Sequence, residues 1–300
     1  MAKPVLVIIG EVHAHVIARM MMADGRMSLA LKESDGRSRI VADRAQGYES
    51  TKRMIRLINE QIPKKEMKIL RDEGIVRLFC EEAGTEGREK AYSDFRKTHD
   101  LKRLKARLRE DNGRMTRQAI EDAKKIVPEL KLWPPVKYAL EKYFKEDLPE
   151  DVPPFFSLST IGAAYKAGVF DIVPAEDGRQ YTEAGAIVEL LYLLAHVTER
   201  LARAYMGAKV SDRERNSLLS GLQKESQRLG LILQDKLYAL DNERERSVCR
   251  NITENYVPGS ALLCGLDHVE PLKKLLSRNF ELKVYKVGEK LLDEKGWLKI

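Results

Sequence analysis

Val5-Leu6-Val7-Ile8-Ile9 is an unbroken apolar run, rich in β-branched residues and closed by Gly10. A strand with one solvated face alternates apolar and polar residues, whereas a continuous run suits a strand covered on both faces. IVRLFCE (75–81), VFDIVPA (169–175) and ALLCGLD (261–267) have the same character. FELKVYKV (280–287) alternates more loosely, as an edge strand does. Everything between these segments reads as helix. Buried strands separated by helical stretches call for right-handed crossovers and a mostly parallel sheet, so the expected class is α/β.

The helical stretches are too long to be simple crossovers. One block runs from Arg88 to Leu148 and is closed by the Pro-rich LPEDVPPFFS. A second, 182–256, breaks at MGAKVSD (206–212), where Gly207 suits the position after a helix and Ser211 suits the N-cap of the next. The expected organisation is one α/β domain over 1–300, a small, mostly parallel sheet flanked by helices. Large helical insertions at 89–157 and 182–256 form a cap.

Composition narrows the setting. Of 300 residues, 43% are hydrophobic and 33% charged, and the apolar residues are spread throughout, which argues against disorder. Cys80, Cys249 and Cys264 are odd in number and contain no C-x-x-C pair, so a reducing, cytoplasmic setting is expected. The apolar run 5–9 is too short for a secretory core. The most apolar stretch, Ala186 to Val197, falls short of the roughly 20 residues that span a bilayer, so no membrane partner is expected. That helix suits a core or a homodimer seam equally well. The net charge of +7 invites a nucleic-acid reading, but most basic residues alternate with acids, as on salt-bridged helix faces. The exception is Phe95 to Asp111, a basic segment suited either to a polyanion or to solvent.

Chemistry concentrates where strands end, because ligands of open α/β sheets bind beyond the carboxyl ends of the strands. The first strand leads into Gly10-Glu11-Val12-His13-Ala14-His15, and in extended geometry Glu11 and His13 point to the same side. The second ends in Cys80-Glu81-Glu82, the third in Glu176-Asp177-Gly178-Arg179, the fourth in Gly265-Leu266-Asp267-His268. Taken singly, each residue is as well read as a turn or cap: Glu82, Glu86 and Asp177 as helix caps, His15 as the start of a helix, Asp267 as a cap or a partner of His268. His99 and His196 fall in helical stretches as solvated or core residues. Four strand ends that each deliver a carboxylate or imidazole make the stronger pattern.

GEVH (10–13), the acid Glu81 and GLDH (265–268) together resemble the EreA/ChaN-like and TraB/TIKI group. Its pattern is a strand with Gly-Glu/Thr-x-His near the start and a strand with Gly-x-x-His near the end. RERSVCRNI (244–252) is similar to that group's Arg-(Asp/Asn)-x-x-Met-Ala-x-x-Ile helix. Arg244 stands in the arginine's place and Ile252 matches, while Glu245 replaces the acid or amide and Val248-Cys249 replace Met-Ala. The resemblance implies a pocket of Glu11, His13, Glu81, Arg244 and His268, with Glu176 or Arg179 as additions. Members of that group include antibiotic-inactivating esterases, metal-dependent proteases and haem-binding proteins, and fold similarity does not choose among these chemistries.

The expected function is hydrolysis of an ester, amide or related bond in a small-molecule or peptide substrate. His13 acts as base on water, Glu11 or Glu81 orients it, and Arg244 with His268 stabilises the oxyanion. A variant places a divalent metal on His13, Glu81 and His268. A haem- or metal-binding effector without turnover and a nucleic-acid-acting enzyme are the alternatives. G-x-S-x-G and glycine-rich phosphate loops are absent from the sequence, which disfavours serine hydrolases, P-loop kinases and dinucleotide enzymes.

Overall fold

The computed structural model describes residues 3–11, 29–34, 37–42, 60–144 and 158–289. In chain order these form β1 (Val5–Glu11), β2 (Leu29–Ser34), β3 (Arg37–Ala42), α1 (Ile62–Asp72), β4 (Arg77–Gly84), α2 (Glu86–Thr98) and α3 (Leu101–Ile126). A 3-10 turn, Val127–Leu130, leads to α4 (Pro134–Tyr143) and α5 (Leu158–Ala167). Then come β5 (Asp171–Asp177), α6 (Gly178–Gly207), α7 (Asp212–Asn255), β6 (Ser260–Gly265), α8 (Leu266–Leu276) and β7 (Glu281–Val287).

The main sheet has five strands in the order β5-β4-β6-β1-β7, and every neighbouring pair is parallel. The fold is therefore α/β, and β7 is an edge strand as its loose alternation foretold. β1 lies between β6 and β7, with Glu11 opposite Gly265 on one side and Val287 on the other. Its side chains alternate between two cores: Val7 and Ile9 pack with Leu78, Cys80 and Leu263, and Leu6 and Ile8 with Phe79, Leu262 and Cys264. That double coverage is why the run carries no polar residue before Glu11. Each such buried aliphatic side chain contributes about 1.5–3 kcal/mol before chain entropy is counted.

Two expectations need correction. The segment after β1 is not all helix, since β2 and β3 form an antiparallel hairpin in a separate two-stranded sheet. The ALLCGLD strand stops at Gly265, and Leu266-Asp267-His268 open α8, four residues ahead of the EPLKKLLS stretch read as its start. His268 is thus fixed by a helix, not by a strand end.

The chain divides into two compact units. The first, 1–113, 153–181 and 243–300, contains the five-stranded sheet. The edge strand β5 carries Pro174, which edge strands tolerate. Asn251 Nδ2 donates to the carbonyls of Pro174 at 3.2 Å and Ala175 at 3.3 Å. In the basic segment Arg96 meets Asp171 at 3.0 Å and Arg107 meets Asp94, while Asp111 pairs with the buried Arg88 at 2.6 Å.

The second unit, 114–152 and 182–242, is helical where described. Leu190, Leu194 and Val197 of α6 are buried with Val136, Leu140, Leu229 and Leu233, so the most apolar stretch is covered within its own chain. Trp133 donates its backbone N–H to Glu225 at 2.7 Å, and Ser211 accepts from Glu214 N at 3.3 Å as the expected N-cap. Among the described residues, no helix is long and apolar enough to cross a membrane.

At Gly10 β1 passes close to α8, and a Cβ there would fall inside the Val269 side chain. Gly10→Ala is expected to lower the unfolding free energy by about 1–3 kcal/mol, the usual cost of overpacking a core. Gly230, within α7, has open space where a methyl group would stand, with nothing inside 4 Å. Gly230→Ala should stabilise by up to about 1 kcal/mol through helix propensity. Urea denaturation of the two variants checks both signs.

Candidate functional site

Parallel strands deliver their carboxyl ends to one edge of the sheet, and the polar cluster lies there. β4 supplies Glu81, β5 supplies Glu176, and β6 ends at Gly265, from which the first turn of α8 carries His268. α7 supplies the neighbouring pair Arg244 and Glu245. One and two helical turns further on, Val248 and Ile252 are buried against Leu262 and Leu272, which fixes the face that α7 turns to the sheet.

Arg244 holds Glu176 with a two-pronged contact, Nε to Oε2 at 2.7 Å and Nη2 to Oε1 at 2.9 Å. Its Nη2 also reaches Glu81 Oε1 at 3.4 Å, and its guanidinium lies 5.9 Å from the Tyr181 ring centre. Glu81 is the hub. Its Oε1 also faces His268 Nε2 at 3.1 Å, and its Oε2 accepts the Gly265 backbone N–H at 2.6 Å. On the other side of the ring, His268 Nδ1 faces Glu245 Oε1 at 3.0 Å. An imidazole with a carboxylate at each nitrogen satisfies both only as the imidazolium, which donates twice. The side chains are 1–17% exposed, so these contacts act in a poorly solvated setting.

Burial pushes the Glu176 carboxyl above its ordinary range, and the Arg244 guanidinium pulls against that rise. Burial also raises the Cys264 thiol far above the usual value, and the charges of Glu81, Glu11, Glu245 and Glu176 add to it. Cys249 is pushed up to about 12 by burial, with Glu245 reinforcing. Both thiols stay neutral at physiological pH and are not nucleophiles.

The cluster encloses a cavity of ≈ 10 Å³, lined also by Val248, Leu262, Cys264 and Leu272, which is room for about one water. Beside it, among the described residues, a cleft of ≈ 820 Å³ follows the outer edge of β5 between α2 and the end of α7. This is within the usual size of ligand sites. Its lining is polar, including Lys90, Arg96, Ser247, Arg250 and Asn251, and Glu176 is common to cleft and cavity.

Of the residues expected in one pocket, the structure brings Glu81, Glu176, Arg244 and His268 together. His13 and His15 lie outside the described residues. Glu11 is buried at the end of β1, and its carboxyl faces Glu66 of α1, on the sheet face that carries Val7 and Ile9. Asp177 is a helix cap, accepting from the backbone N–H of Arg179 at 3.0 Å and of Gln180 at 3.1 Å. Thr85, not Glu86, caps α2, accepting from Arg88 N at 3.2 Å. His99 stacks on Phe170 and His196 meets the Tyr143 edge, so both are packing residues.

Glu245, read only as a departure from a motif, proves to be a His268 partner. Glu66 was missed because KKEMKILRDEG looks like a charged surface helix. The available signal was its spacing: Ile62, Glu66 and Leu70 share one stripe, and all three are buried.

For a metal, the described geometry is a poor fit. Both His268 nitrogens face carboxylates, leaving no lone pair directed elsewhere. Among the described residues, no three His, Cys, Asp or Glu side chains are placed to hold an ion.

Arg244→Met strands Glu176 in a buried position without its cation and should cost about 3–5 kcal/mol near neutral pH. A carboxyl raised in the folded state contributes stability at low pH that is lost as pH rises from its unfolded value through its folded one. The penalty should therefore shrink towards pH 5, and adding Glu176→Gln should recover much of it. Denaturant titrations across pH measure both effects.

Protein-family models, curated proteins and solved structures give no match to this chain, so its functional reading rests on the residues and geometry above.

Proposed function

We propose that the chain is a hydrolase acting on an ester, amide or related acyl bond of a small-molecule or peptide substrate. The observation that carries this reading is the convergence of Arg244 and His268 on Glu81, beside the cleft that shares Glu176.

The substrate chain lies along the β5 cleft, where a polar lining suits amide and hydroxyl groups, with its acyl carbon towards Glu176. Developing negative charge on the carbonyl oxygen is met by Arg244 and His268. Their charges are already oriented by Glu81, Glu176 and Glu245, so little reorganisation is needed in the transition state. The Arg244–Glu81 contact, at 3.4 Å, is the longest in the cluster and the one an oxyanion displaces most readily. His268 then delivers its Nε2 proton to the leaving group, and the flanking carboxylates favour its reprotonation. Water is activated by His13, which follows Glu11 by two residues.

A panel of chromogenic esters and peptide anilides tests the proposal. His13→Ala and His268→Gln should each lower kcat/KM on any hydrolysed member by about 10²–10³-fold, with circular dichroism unchanged. Full turnover in both variants, or a wild-type protein inert towards the whole panel, sinks it.

A further inference from the structure

The cleft beside β5 changes charge along its length. α2 leaves the carboxyl end of β4 and reaches the start of β5, where Arg96 is committed to Asp171 at 3.0 Å. α7 descends the same way from Arg244, and its last carbonyl, that of Asn255, accepts from Arg77 Nη1 at the start of β4 at 2.6 Å. Near the Arg244 cluster the α2 wall is acidic, with Glu86 and Glu89 in the first helical turn, where the backbone dipole favours negative charge. Below them comes a band in which Lys90 and Ser93 of α2 and Ser247 and Arg250 of α7 line the cleft. Lys90 and Arg250 are exposed, and neither makes a hydrogen bond or ion pair among the described residues. Two uncommitted cations on opposite walls, each with a hydroxyl one turn away on its own helix, are suited to an oxyanion. Glu89 beside Lys90 and Glu254 one turn beyond Arg250 keep the positive excess small, which favours a singly charged carboxylate over a phosphate.

We propose that Lys90 and Arg250, with Ser93 and Ser247, form a carboxylate site that selects acidic acyl substrates. That the carboxylate belongs to a substrate rests on the hydrolase reading; the site itself does not. Arg250 follows Arg244 by six residues, about 9 Å along a helix axis, which sets the spacing between the bound carboxylate and the carbonyl under attack. Glu176 is common to the cleft and to the Arg244 cluster, so one extended acyl chain reaches both. Holding its far end fixes the approach of its carbonyl to Arg244 and His268, so contacts remote from the reacting bond serve to orient it. A neutral ester of the same length lacks that hold and is the poorer substrate.

The test compares full-length wild type with Lys90→Gln, Arg250→Gln and the double variant; both positions are exposed, so the changes leave folding intact. The substrates are mono-4-nitrophenyl suberate and its methyl ester, which differ only in the distal charge. Wild type should favour the acid by about tenfold in kcat/KM, chiefly through KM, the scale of a charge-assisted contact in a part-solvated cleft. Added salt should shrink that ratio. Each single variant should cut it severalfold, and the double variant should erase it. Equal turnover of the two esters by wild type, or an undiminished ratio in the double variant, overturns the selectivity. Separately, ligand-observed NMR with suberate alone should detect binding to wild type and none to the double variant. No binding to wild type, or equal binding by both proteins, overturns the carboxylate site. A wild type inert to both esters that still binds suberate through Lys90 and Arg250 defeats the hydrolase reading and upholds the site.

Discussion

β1 cannot become part of a sheet until β6 and β7 exist, because its hydrogen bonds run to strands that begin about 250 residues later. Closing so long a loop has an entropic cost that grows only slowly with length. It is offset by one of the most completely buried segments in the molecule, in which Leu6, Ile8 and Ile9 have no exposed surface. The same pairing sets Glu11 beside Gly265 and so joins the chemistry of the two chain ends. Gly10 and Val269 then determine how closely α8, and with it His268, settles on the sheet.

Near Arg244 there are more acids than bases, and Arg244 and His268 each face two carboxylates. Buried charge is tolerated there by pairing. Arg88, fully buried with Asp111 and Asn112 at the start of α2, shows the same pairing away from the cluster.

The five main strands were legible in the sequence because burial on both faces demands unbroken apolar runs, and β1, β4, β5 and β6 have them. Glu81, Glu176, Arg244 and His268 were legible because strand ends and one helical motif bring them to one edge. The β2–β3 hairpin was not, since LALKES and RSRIVA carry too few apolar residues to stand out from a charged helix. Glu66 was hidden for a different reason. A glutamate among lysines reads as solvated, and only tertiary packing reveals that its helix stripe faces the core. Glu245 looked like a motif defect because its value lies in a partner 23 residues away.

The margin of the sheet at β5 has a consequence for how copies of this chain behave when crowded. An unpaired strand is a template on which a second backbone can be laid, and repetition of that event builds aggregates. Here Pro174 withholds a donor from the row, and Asn251 already occupies two successive acceptors. At the opposite margin, Lys283 and Lys286 put charge along β7. Both flanks of the sheet thus refuse extension, and a chain that must hold a long-range parallel sheet together is protected from stacking on its neighbours.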